Sequence, residues 1–156
     1  MDSQPKDGLV DFILRAKQAT YVGSGQKLLP YRLGSHDLQF HDGDWAYHDS
    51  YVGDNDFLGE EVVYYRGHVV WGMNYFGRIL QPEKITSAQA GNVIKHSLTK
   101  MYQAGRFLGG FTHSMNEYNY HDTNEGDPSY FTGKEWIEVG GEVVYALDYH
   151  GGLIRE

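Results

Sequence analysis

Residues 47–80, "YHDSYVGDNDFLGEEVVYYRGHVVWGMNYFGRIL", and residues 120–154, "YHDTNEGDPSYFTGKEWIEVGGEVVYALDYHGGLI", repeat one another. Identities fall at Tyr47/Tyr120, His48/His121, Asp49/Asp122, Gly53/Gly126 and Asp54/Asp127. After a one-residue insertion near Tyr130 they resume at Phe57/Phe131, Gly59/Gly133 and Glu61/Glu135. Gly67/Gly141, Val69/Val143, Val70/Val144, Tyr75/Tyr149 and Gly77/Gly151 follow. Self-similarity at a nearly constant offset marks a repeated supersecondary unit, and with two copies it predicts a closed pseudo-twofold domain rather than a solenoid. The 156 residues are therefore read as a single domain, residues 1–156, built from two similar halves at about 8–80 and 86–155.

Each copy follows a helical segment. In "GLVDFILRAKQA", Leu9, Phe12, Ile13 and Ala16 form one apolar stripe, with Asp11, Arg15 and Lys17 assigned outside it. In "SAQAGNVIKHSLTKMYQAG", Ala90, Val93, Ile94, Leu98, Met101 and Tyr102 share a face, with Ser87 as N-cap and Gly105 as stop. "EEVVYYRGHVVW" and "KEWIEVGGEVVY" read as hairpins turning at Arg66-Gly67 and Gly140-Gly141. "SHDLQFHDGDWAYHDSY" reads as another hairpin turning at Asp42-Gly43, with "FTHSMNEYNYHD" in the matching place. The predicted fold class is α+β: a repeated helix-plus-antiparallel-strands unit, its two helices packed on a largely antiparallel sheet.

Alternation along unbroken strands then selects a face. Counting outward from Arg66-Gly67 pairs Tyr65 with His68, Val63 with Val70 and Glu61 with Gly72, and Asn74 continues that face. The second copy places Glu135, Ala146, Asp148 and His150 together in the same way. Val62, Tyr64, Trp71, Met73 and Tyr75 fall on the opposite face, as do Trp136, Tyr145, Leu147 and Tyr149. The candidate ligand-binding residues are Glu61, Asn74, Glu135, Asp148, His150 and Tyr65, a polar notch walled by tyrosines. Carboxylates framed by aromatic rings suit a cationic or hydrogen-bond-rich small molecule.

Other motifs carry less. In "YHD" the neighbouring His and Asp point to opposite sides of a strand, so Tyr47 and Asp49 share a face and His48 looks away. "GDND" around Asp54 lacks the length and terminal glutamate of a calcium loop and reads as a turn. "YVGSGQK" is a flexible loop rather than a phosphate cradle, and no G-x-S-x-G elbow occurs. No metal or cofactor motif is present, and the chain has no cysteine for disulfides, thiolate zinc or a thiol nucleophile. A net charge of -8 with scattered Lys and Arg argues against direct nucleic-acid binding. No stretch is long and apolar enough for a membrane span, and the N-terminus has no signal-peptide pattern, so a cytoplasmic location is expected.

At "AKQATYVGSG", "GSHDLQ", "FLGEEVVYYRGHVVWGMNYFGRIL" and "YALDYHGG" the chain resembles a bacterial domain family of unknown function. The family it resembles has members that occur alone or C-terminal to Xre-type helix-turn-helix heads, an arrangement that implies transcriptional regulation. The resemblance implies a sensor or ligand-binding module and brings no catalytic residues with it. The 156 residues leave no room for a DNA-binding head, so direct DNA regulation is not expected. The functional expectation is a sensor-like small-molecule-binding domain. Its alternatives are a hydrolase or isomerase using the carboxylates and His150 as general acid and base, and a protein-interaction module that homodimerises through an aromatic sheet face.

Overall fold

The computed structural model describes residues 7–22 and 26–156, and the core of the "YVGSGQK" segment, residues 23–25, lies outside them. Two helices and nine strands form among the described residues: α1 (Leu9–Val22), β1 (Gln26–Leu28), β2 (His36–Asp42), β3 (Trp45–Gly53), β4 (Asp56–Tyr65), β5 (His68–Ile79), α2 (Ser87–Gln103), β6 (Phe111–Met115), β7 (Tyr118–Asp127), β8 (Tyr130–Val139) and β9 (Glu142–Leu153). All nine strands join one antiparallel sheet in the order β1-β2-β3-β4-β5-β9-β8-β7-β6. The last strand of each half, β5 and β9, meet at the centre, and the earlier strands of each half fan outward.

The expected α+β class, with two helices packed on a sheet, is overturned: this is a mostly-sheet fold. Long strands closed by tight turns take up most of the chain. The helices pack on each other, and each meets the sheet mainly at its own flank, α1 at β2 and β3 and α2 at β6 and β7. Helical coverage of the central strands is therefore incomplete, and space remains there.

Tight turns set the hairpins. Arg66 and Gly67 at φ 50° and 82°, and Gly140 and Gly141 at 59° and 80°, give both central turn residues the left-handed backbone that a two-residue hairpin needs. The β2–β3 turn falls at Gly43-Asp44 rather than Asp42-Gly43, because Asp42 pairs with Trp45. In α2 the N-cap is Thr86, one residue before the expected Ser87; its side chain accepts from the Gln89 backbone N–H while the Gln89 side chain accepts from the Thr86 N–H.

One irregularity recurs in both halves and reverses the strand phase read from the sequence. Tyr64 pairs with Val69 but Val63 pairs with Trp71, so Val70 is an extra residue. Likewise Glu138 pairs with Val143 but Ile137 with Tyr145, leaving Val144 extra. Each β-bulge is held by the chain leaving the other half: Leu80 N donates to Val144 O at 2.8 Å, and Ile154 N donates to Val70 O at 3.0 Å. A bulge shifts alternation by one residue on one strand. The expected Val63–Val70 and Glu61–Gly72 neighbours are thus replaced by Val63–Trp71 and Glu61–Met73. Glutamates and large aromatics end up on the same, inner face.

That face forms the core. Trp71, Tyr47, Tyr120, Tyr145, Phe12 and Phe131 are its largest fully buried side chains. Among the described residues no helix is long and apolar enough to cross a membrane.

Candidate functional site

Alternation along β4 turns Phe57, Gly59, Glu61 and Val63 inward, and along β8 it does the same for Phe131, Gly133, Glu135 and Ile137. On β3 and β7 the inward residues include Tyr47 and Asp49, and Tyr120 and Asp122. Register places Asp49 directly opposite Glu61, and Asp122 directly opposite Glu135. Two cross-strand pairs of acids therefore lie buried at matching positions, with relative exposures of 5 %, 2 %, 5 % and 5 % in that order.

Tyrosines bind both pairs in the same pattern. Tyr47 donates to Glu61 and Tyr120 to Glu135. Tyr75 donates to Asp49 Oδ1 at 2.7 Å, and Tyr149 to Asp122 Oδ1 at 2.7 Å. Each of these last two rings crosses a glycine. A Cβ on Gly59 would lie 2.5 Å from the Tyr75 ring, and one on Gly133 would lie 2.1 Å from the Tyr149 ring. Only hydrogen at those positions lets the phenol reach its aspartate.

The halves then diverge. Lys17, 4 % exposed, donates from Nζ to Glu61 Oε1 at 2.7 Å. Its ammonium also lies 3.6 Å from Met73 Sδ, 6.0 Å from the Trp71 ring and 5.6 Å from the Phe107 ring. Glu135 instead receives a neutral donor, Tyr145, at 2.8 Å. From α2 the buried Leu98 and Tyr102 and the exposed Lys95 border the same cavity. Among the described residues, Lys17 is the one buried cation facing four buried acids.

Burial dominates the proton affinities. Desolvation, reinforced by the charge of Glu61, pushes Asp49 up to about 7. Desolvation lifts Glu135 to about 7 and Asp122 to about 6, against the opposing pull of tyrosine hydrogen bonds. The Tyr75, Tyr120, Tyr145 and Tyr149 hydroxyls rise above their ordinary value for the same first reason, and so remain donors.

All four acids line a cavity of about 750 Å³ left between the helices and the sheet. Phe57, Met73, Tyr75, Tyr145 and Leu147 form apolar and aromatic walls, and the exposed His36, Asp54 and Lys95 stand among the lining residues. Of the six candidates read from the sequence, Glu61 and Glu135 face this cavity. The other four lie elsewhere. Asn74 and His150 are cross-strand neighbours on the exposed outer face, 3.3 Å apart. Asp148 is exposed and lies 3.7 Å from Lys134. Tyr65 packs at a tilt of 55° against Trp45 near the hairpin turn, with centroids 4.7 Å apart. Among the described residues no group of three or more His, Asp or Glu side chains could hold a metal ion.

Sequence reasoning missed Lys17, Asp49, Asp122 and their tyrosines. Lys17 lies four residues after Ile13, on the apolar stripe rather than outside it, and a lone lysine there was the available signal. In "YHD" the shared face of Tyr47 and Asp49 was the signal for a tyrosine–carboxylate pair. His48 does look away, onto the outer face, where it contacts Asp37 Oδ1 at 2.8 Å.

Fold and site together define a class of protein: a mostly-sheet domain in which two Tyr–Asp–Glu clusters border a common cavity. The chain belongs to the DUF5680 family, described as a domain of unknown function, whose family model matches residues 49–154. That span takes in both acid pairs and leaves Lys17 and Tyr47 outside it. Neither the curated proteins nor the solved structures provide a match.

Proposed function

We propose that this domain binds small organic cations, amines carrying an apolar body, in the cavity between helices and sheet. One observation carries the reading: two directly opposed pairs of buried acids face the cavity, and one ammonium is bonded among them. Like charges opposed across strands, out of water, oppose folding. A bound cation offsets that repulsion, while aromatic walls favour both its charge and its apolar body. A sensory role fits this reading, because occupancy stabilises the folded form by mass action. The resemblance to domains carried behind helix-turn-helix heads supports the same role.

Isothermal calorimetry tests it, with a series of hydrophobic amines set against the alcohols of matching shape at pH 8. Amines are expected to bind and alcohols to bind far more weakly. Glu135→Gln is expected to weaken the amines by about tenfold or more, the scale of a lost charge-assisted hydrogen bond. Equal binding of alcohols and amines, or no binding of either, contradicts the proposal.

A further inference from the structure

We infer that the cation is an arylalkylamine whose ammonium sits at the Asp122–Glu135 pair and whose ring packs against Phe57 and Tyr145. The inference rests on the cation-binding reading above and narrows it to one ligand class. Its basis is a comparison of matched places in the two halves, one filled by the chain itself and one open.

In the filled place, Trp71 and Phe131 stack with centroids 5.9 Å apart and planes 22° apart. Phe107 meets both edge-on, at 5.9 Å and 87° to Trp71 and at 6.3 Å and 78° to Phe131. The Lys17 ammonium lies 5.6 Å from the Phe107 centroid and bonds Glu61. The chain thus seats an ammonium on a glutamate and a phenyl ring on a stacked aromatic pair, side by side.

In the other place the receiving groups recur without the lysine and the phenylalanine, and Glu135 accepts from the Tyr120 and Tyr145 hydroxyls instead. Tyr145 and Phe57, the sequence counterparts of Trp71 and Phe131, stack at 6.4 Å and 12°. Glu135 and Asp122 stand where Glu61 and Asp49 do. Leu38 opposes Asp49 as Phe111 opposes Asp122, and four residues before these stand Gly34 and Phe107. Gly34 is exposed and supplies no ring, whereas Phe107 is buried. Accordingly Phe57 and Tyr145 line the cavity, and Trp71 and Phe131 do not. A ligand that completes the second place needs an ammonium and an aromatic ring separated as Lys17 Nζ and Phe107 are, a distance met by an ethylene or propylene linker.

Calorimetric titration of 2-phenylethylamine and n-hexylamine against the full chain tests this, alongside intermolecular nuclear Overhauser effects from the phenyl protons. The aryl amine is expected to bind about tenfold more tightly than the alkyl amine, the scale of an added aromatic contact and cation–π support. Its ring protons are expected to show Overhauser effects to Phe57 and Tyr145. Phe57→Leu, checked for folding by thermal melting, is expected to erase the preference. Equal affinities, or Overhauser effects confined to other cavity residues, overturn the arylalkylamine inference and leave cation binding standing. Failure of both amines to bind overturns both.

Discussion

The place around Glu61 and Trp71 and the place around Glu135 and Tyr145 use matching acids, tyrosines and glycines, yet among the described residues Lys17 and Phe107 enter only the first. Trp71 and Phe131 are covered by Phe107, and the nearby Glu61 is neutralised by Lys17. Phe57 and Tyr145 line the cavity, and Glu135 accepts from the Tyr120 and Tyr145 phenols. A buried carboxyl pair on an antiparallel sheet is a costly element, and the chain stabilises one copy of it with its own ammonium and ring. The second copy has phenols as its hydrogen-bond donors and no such lysine, and in the proposed reading a bound amine supplies the charge.

Breaking the filled half gives the largest expected effect. Lys17→Met leaves Glu61 buried without its cation and is expected to lower stability by about 3–5 kcal/mol, read from urea denaturation. Combining it with Glu61→Gln should restore a substantial part of the loss; a double variant no more stable than the single would break the comparison. Next, Phe107→Ala opens a second hollow, with an expected cost of about 3 kcal/mol. A crystal structure of that variant should show a cavity above Trp71 and Phe131, resembling the one above Tyr145 and Phe57.

Proton linkage sharpens the contrast. Asp49, Asp122 and Glu135 hold protons more tightly folded than unfolded, so unfolding releases protons across the intervening pH range. Stability contributed by their protonation is present at low pH and lost as pH climbs through about 6 to 7. The unliganded protein is expected to lose about 2 kcal/mol or more between pH 5 and pH 8, visible as a falling melting temperature. A melting temperature that rises over that interval contradicts the assignment. A bound amine should reduce the fall, because its charge favours the ionised acids.

Smaller effects separate the inner face from the outer one. Gly59→Ala and Gly133→Ala each push a methyl into a tyrosine ring, and each is expected to cost about 1–3 kcal/mol by chemical denaturation. At the bottom of the scale, Asn74→Ala, Asp148→Ala and His150→Ala should each change stability by less than about 0.5 kcal/mol. They should also leave amine titrations unchanged. Loss of amine binding in any of these three would move the site to the other face of the sheet.

How much of this was legible beforehand varies element by element. The hairpin turns at Arg66-Gly67 and Gly140-Gly141 could be read because two adjacent residues adopt left-handed backbone there, a demand that shows in local sequence. The same holds for the apolar stripes of α1 and α2. Glu61 and Glu135 stood out because they recur. Asn74, Asp148 and His150 were grouped with them by strict alternation, and the bulges at Val70 and Val144 broke that alternation. A bulge needs a partner for its freed backbone groups, and here the partners, Leu80 and Ile154, come from the opposite half. The α+β assignment failed for a related reason. Periodicity marks which face of a helix is apolar, but not whether the helix covers the centre of a sheet or only its flank.

The sequence by itself determined the local units: two amphipathic helices, tight hairpins, and a recurring set of Tyr, Asp, Gly and Glu at spacings that alternation turns to one side within each strand. Tertiary structure alone decided that β5 and β9 would pair at the centre, that bulges held from across the sheet would bring aromatics and acids to one face, and that Phe107 would pack on Trp71 and Phe131 beside Lys17. Local choices depend on backbone preferences and short-range periodicity, which each segment carries in its own residues. Which side chains meet across the sheet depends on hydrogen bonds and packing between segments far apart in the chain, and no single segment encodes them.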